Sequence, residues 1–273
     1  MIAYPDGKCK NPGEIGFFAE TLARGGFGCY NTMEYVSEWR EYMDGIGAWL
    51  AQLQWGRLLE PLIVAAAAVL CITVHETCHG LAALALGDPT ARRMGRLSLN
   101  PLKHIDPMGL LMMIVAKVGW AKPVPVDARY FKNPRVGMAI VSIAGPLSNV
   151  LLSAVAAAGY TVSVFYCIYL EASWLELLSD FFYYVFFISA GLAVFNILPV
   201  PPLDGSKVLF SFLPEELYWK LMRYERYGML LLMGMLLTGM LAVPLNFLRE
   251  GLTDALVPIS EWTLELLTAL HIR

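Results

Sequence analysis

Between Pro61 and about Leu86 the chain is nearly all Ala, Leu, Val and Ile, yet His75, Glu76 and His79 stand inside that run. A bilayer is crossed by about 20 apolar residues rising ~1.5 Å each, so this stretch forms one spanning helix. Ionisable groups at such depth cost about 2–4 kcal/mol each unless something compensates. The spacing of His75-Glu76-Thr77-Cys78-His79 is H-E-x-x-H. On a helix the two histidines lie one turn apart on one face, where both imidazoles reach a single Zn²⁺. Glu76 sits about 100° round the axis, close enough to handle a water on that metal. A metal supplies the compensation. The bland alternative is a pair of core histidines bonded to neighbouring helices beside a protonated Glu76, which places three costly groups in one turn for no return.

The rest of the chain suits the same environment. Of 273 residues, 57% are hydrophobic and 16% charged; the mean hydropathy is +0.55. That is too apolar for an ordinary soluble domain and fits a small multi-pass membrane protein. The formal charge of −3 says little, and no feature points to nucleic acid as a partner. No signal-peptide pattern opens the chain, so insertion relies on internal helices. Further spans are expected at Gly137 to about Tyr160, at Phe181 to Leu198, which is broken by prolines 199, 201 and 202, and at Tyr227 to Phe247. The run Met108–Val118 is too short to cross. Lys122-Pro-Val-Pro-Val126 suits an extended strand or hairpin. Met33 to Leu53 fits one or two amphipathic helices at the interface, and the tail from Leu252 an amphipathic surface helix. The expected fold is an all-α polytopic membrane protein with about four transmembrane helices, a small re-entrant or interfacial β element, and amphipathic helices. Residues 1–57 form an N-terminal extension, 58–248 the core and 249–273 the tail. The cysteines, at 9, 29, 71, 78 and 167, have no zinc spacing. Cys9 and Cys29 can pair if the N-terminus is extracytoplasmic, and are free thiols otherwise.

Basic residues orient the spans. The stretch 87–135 carries nine basic and three acidic residues, whereas 161–180 carries three acidic and no basic ones. Residues 199–226 have four of each, and the tail after 248 two basic against four acidic. This puts 87–135 and 199–226 in the cytoplasm, with 161–180 and both termini outside. From Pro61 to His75 is roughly 21 Å of helix against a hydrocarbon core of about 30 Å. The metal then lies within the membrane, nearer the cytoplasmic side.

Catalytic zinc takes three protein ligands and keeps a position for water. The carboxylates nearest to spans are Glu60, Asp88, Asp106 and Asp204. Glu60 and Asp88 flank opposite ends of the motif helix and cannot fold back onto its middle. Asp204 ends Asn196-Ile-Leu-Pro-Val-Pro-Pro-Leu-Asp204, a Pro-rich unwound segment. Such backbone is tolerated at membrane depth where it lines a cavity. Its alternative is a helix-terminating Leu-Asp-Gly turn.

Taken in order, His75-Glu76-x-x-His79, Gly145-Pro-Leu-Ser-Asn149 and Asn196-Ile-Leu-Pro-Val-Pro-Pro-Leu-Asp204-Gly205 resemble the motifs of the site-2 protease family. The stretches Gly95–Pro107 and Gly119–Val126 are similar to those of its compact bacterial and archaeal members. The likeness covers about Leu58 to Phe210. It implies an intramembrane zinc endopeptidase of the cell membrane, cutting transmembrane segments of other proteins, with one Zn²⁺ per chain. Carried onto this chain, the zinc ligands are His75, His79 and Asp204, and Glu76 activates water. The resemblance also implies that Asn196 holds substrate or stabilises an oxyanion, against a plain cap on the broken helix. Asn149 is expected to hydrogen-bond between helices, with Gly145-Pro146 permitting close packing or a kink. His104 is expected to be structural. Val124 and Val126 offer an edge to which an extended substrate adds as a strand. The rival from another class is a catalytically silent membrane-embedded relative that binds metal or substrate.

Overall fold

The computed structural model describes residues 55–104, 106, 109, 122–170 and 172–271. Its long helices follow the apolar runs: α1 (Trp55–Ala85), then a short α2 (Thr90–Arg93), α3 (Pro134–Leu170) and α4 (Ser173–Ile197). After the proline break come α5 (Asp204–Ser211), α6 (Glu215–Tyr224), α7 (Gly228–Leu237) and α8 (Ala242–His271). Among the described residues three helices are long and apolar enough to cross a membrane: Leu59–Ala85, Pro134–Leu170 and Ser173–Ile197. A fourth span is available only if α7 and α8 count as one, and these are bent by 87° at their break. The span expected over Tyr227–Phe247 is therefore interrupted in its middle.

Lipid supplies no hydrophobic force between helices, so their association rests on close packing and interhelical hydrogen bonds. The inward face of α3 accordingly carries small residues, including Gly145, Ser148, Ser153, Ala156 and Ala157. Ala67 and Cys71 of α1 and Val185 and Phe186 of α4 pack against Ala156 and Ala157 in one cluster. Hydroxyls then tie α3 to α4: Ser153 Oγ donates to the Phe186 carbonyl at 3.0 Å and Ser189 Oγ to the Asn149 carbonyl at 2.9 Å. Each such bond contributes about 0.6 kcal/mol in a membrane. Leu256 of α8 enters the same cluster. The segment expected as a surface tail from Leu252 thus belongs to a longer helix that packs on the bundle.

At 37 residues α3 runs ~55 Å, well beyond a ~30 Å hydrocarbon core. Cys167, near its far end, is disulfide-bonded, while Cys71 and Cys78 are free. Cys9, Cys29 and the amphipathic helices expected between Met33 and Leu53 lie outside the described residues, as does nearly all of the run Met108–Val118.

No strand occurs among the described residues, so the β element expected at 122–126 is absent there; the segment is irregular backbone. The reason is where its polar groups go. Lys122 N–H donates to the His104 carbonyl at 2.9 Å, and Asp127 N–H to Asp88 Oδ2 at 2.7 Å. The buried Arg96 guanidinium donates to the carbonyls of Lys103, Lys122 and Pro123. Pro123 and Pro125 have no N–H to offer a ladder. Side chains and a turn, instead of a partner strand, hold the segment against α1.

Candidate metal centre

His75 and His79 project from one face of α1, as their spacing requires. Their Nε2 atoms are 3.0 Å apart. Asp204, the first residue of α5, brings Oδ2 to 3.3 Å from His75 Nε2 and 3.2 Å from His79 Nε2. Ligands at about 2.0–2.1 Å from a tetrahedral zinc stand about 3.3 Å from one another. The three atoms therefore already occupy three corners of a zinc-sized tetrahedron. Two imidazoles and a carboxylate are a donor set zinc accepts, and the trio leaves the fourth corner for water. Among the described residues it is the only group of three or more His, Cys, Asp or Glu side chains that could hold a metal ion.

Both histidines are mounted by groups on α3. His79 Nδ1 lies 2.7 Å from the Val141 carbonyl of α3. A carbonyl only accepts, so Nδ1 carries the proton and Nε2 keeps its lone pair for a metal. Asn149, also on α3, sits with Nδ2 3.1 Å from His75 Nδ1. The expected interhelical bond of Asn149 thus runs to a candidate ligand.

Two glycines make these approaches possible. A Cβ on Gly205 would meet the Ile197 carbonyl oxygen at 2.0 Å, so only glycine lets the first turn of α5 seat on the end of α4. A Cβ on Gly145 would fall 2.5 Å from His79 Nε2 and 2.6 Å from His75 Cε1. Gly145→Ala is therefore expected to displace both rings and weaken zinc binding by ~10-fold or more, measured by chelator competition at unchanged helicity. Wild-type affinity in that variant would mean the rings retreat without loss.

Glu76 stays out of the trio; its Oε2 accepts the Val124 N–H at 2.9 Å. Both groups line a cavity of about 340 Å³ together with the trio, Val126, Asn196 and Lys207. Asn196 reaches that wall with its amide donating to the Leu192 carbonyl of its own helix at 3.0 Å. His104 is buried and lies 2.8 Å, through Nε2, from the Ser98 carbonyl, a structural part as expected. Asp88, weighed in the sequence only as a zinc ligand and set aside, and Arg96, not named there, anchor the 122–127 segment. Their signal is a charged residue on either side of α2 whose partners are all backbone.

The family model of peptidase family M50 matches residues 63–241, which takes in α1, the trio and the break before α5. The chain belongs to peptidase family M50. This family is that of the site-2 proteases, so the M50 chain is a zinc metalloprotease by membership, with Zn²⁺ as its cofactor. Its apolar helices fit a membrane protein. The Bacillus subtilis protein named "Putative zinc metalloprotease YwhC" is 37% identical over 177 residues, 62% of this chain and 78% of its own length. Rip2 of Mycolicibacterium smegmatis, with the same kind of name, is 31% identical over 65% of this chain and 67% of its own length. Rip2 of Mycobacterium tuberculosis is 29% identical over 71% of this chain and 75% of its own length. No solved structure matches the M50 chain.

Proposed function

We propose that this M50 protein is an intramembrane endopeptidase that hydrolyses peptide bonds within or near transmembrane segments of other proteins. His75, His79 and Asp204 hold the zinc, and Glu76 is the general base. The observation that carries this is the convergence of the trio on α1, inside the candidate span Leu59–Ala85. A water-soluble protease has no use for ligands at that depth.

A zinc ion held by His75, His79 and Asp204 would supply a water of near-neutral pKa and a Lewis acid for the carbonyl under attack. Glu76 takes the proton released in the attack and returns it to the leaving amine. The Val124 N–H on Oε2 fixes the rotation of its carboxylate for that transfer. Asn196 is assigned contact with the substrate or an oxyanion, a role its position on the cavity wall supports. The excess of basic residues in 87–135 orients that stretch to the cytoplasm of the cell. A disulfide at Cys167 supports an oxidising side for the opposite end of α3. The site then lies in the bilayer of the cell membrane, nearer the cytoplasm.

A substrate helix shields its own carbonyls, so it must unwind to be cut. The 122–126 segment is suited to receive the extended chain. Of its N–H groups, that of Val124 is taken by Glu76, while that of Val126 has no partner among the described residues. Purified protein in liposomes is expected to cut a single-pass substrate within its span, with chelation stopping and Zn²⁺ restoring the reaction. Val126→Pro should lower that rate about 2- to 10-fold, as loss of one backbone bond implies, with zinc content unchanged. Cleavage confined to soluble unstructured peptides would overturn the intramembrane assignment; a wild-type rate in Val126→Pro would overturn the pairing.

A further inference from the structure

We propose that Asn149 is a positioning residue for the zinc site: its amide oxygen accepts the Nδ1–H of His75 and so keeps the Nε2 lone pair turned to the metal. The inference rests on the ligand assignment above. It starts from an asymmetry between the two histidines. His79 faces a backbone carbonyl through Nδ1 at 2.7 Å, which fixes its tautomer. His75 faces a side-chain amide at 3.1 Å, and an amide has both a donor end and an acceptor end.

The two ends have opposite consequences. With NH₂ toward Nδ1, the imidazole proton must sit on Nε2, the atom 3.3 Å from Asp204 Oδ2 and 3.0 Å from His79 Nε2. A protonated Nε2 cannot bind zinc. With the oxygen toward Nδ1, the proton moves to Nδ1 and Nε2 becomes a ligand. The two orientations differ only by a half-turn of the amide, whose O and N are nearly isosteric. The turn gives up no bond of the oxygen, because Asn149 Oδ1 as placed is buried without a partner. The position is also rigid. Asn149 is fully buried, and Ser189 of α4 donates to its backbone carbonyl at 2.9 Å. The amide is thus held at His75 by two helices, and its acceptor end is what the metal site requires.

The test is zinc affinity of the purified full chain in detergent, by chelator competition. Asn149→Ala removes the acceptor and is expected to weaken binding about 10- to 100-fold, the range for losing such a partner of a ligand. Asn149→Asp supplies an acceptor with no donor end and should restore affinity to within about 3-fold of wild type, as a carboxylate serves in carboxylate–histidine–zinc triads. If the amide is merely a strut between helices, Asp fails as badly as Ala, and the proposal falls. Wild-type affinity in Asn149→Ala overturns it equally. Nitrogen chemical shifts of the imidazoles in the zinc-loaded wild type need no variant to fold. A proton on His75 Nδ1 is expected, and one on Nε2 refutes the assignment. Absence of zinc binding by wild type would overturn the ligand assignment itself, an outcome distinct from unchanged affinity in the variants.

Discussion

Glu76→Gln is expected to lower cleavage of a membrane substrate by about 10²- to 10⁴-fold, the contribution of a positioned general base, while zinc content stays that of wild type. The two outcomes separate because Glu76 and the histidine ligands do different work from neighbouring positions on α1. The trio is His75, His79 and Asp204, and it is complete without Glu76. The substituted side chain keeps nearly the same shape, and its amide oxygen can still accept the Val124 N–H that Glu76 Oε2 accepts at 2.9 Å. The cavity wall at Pro123 and Val124 is therefore preserved, and only the capacity to carry a proton is lost. Rate and bound metal measured on one preparation decide the point. Full activity in Glu76→Gln would put the base elsewhere. A wild type that binds zinc and cuts nothing would favour a catalytically silent relative.

What could be read from the residues follows the range over which each contact acts. His75 and His79 were legible because helical spacing is local and the apolar run around them guarantees the helix. Asp204 was legible only as the best of several carboxylates, since its bond to His75 spans 129 positions and no local pattern encodes that closure. The close seating of α5 on α4 depends on Gly205, visible in sequence merely as part of a turn. Hydropathy did not show the 87° bend between α7 and α8. A hydropathy window has no sense of direction, and the turn is marked only by Thr238 and by Gly239, whose φ is +70°. The anchoring roles of Asp88 and Arg96 were not legible because they serve backbone groups of a segment distant in sequence. The Pro-Val-Pro pattern signalled an extended stretch, but whether a strand or side chains would satisfy it lay in the tertiary structure.

Asp204→Ala is expected to weaken zinc binding by more than ~100-fold, beyond the effect of losing an outer partner of a ligand, and to abolish cleavage. Removing the carboxylate leaves two imidazoles at 3.0 Å, and a two-ligand site holds zinc poorly where three plus water are the norm for catalysis. The fold has little reason to change. Asp204 Oδ2 bonds within the trio, whereas α5 is held independently, with Arg135 of α3 donating to the Leu213 carbonyl just past its end at 2.8 Å. Helicity and melting temperature of the metal-free variant should therefore match those of metal-free wild type, which separates lost coordination from lost structure. Equal melting with zinc added to both proteins would be the opposing sign, because a ligand that binds only the folded state must raise the wild-type value. Wild-type zinc affinity in Asp204→Ala would mean that another group completes the sphere. Among the described residues no other carboxylate or thiol joins both imidazoles in a metal-sized cluster, so that result would dismantle the site and not merely revise it.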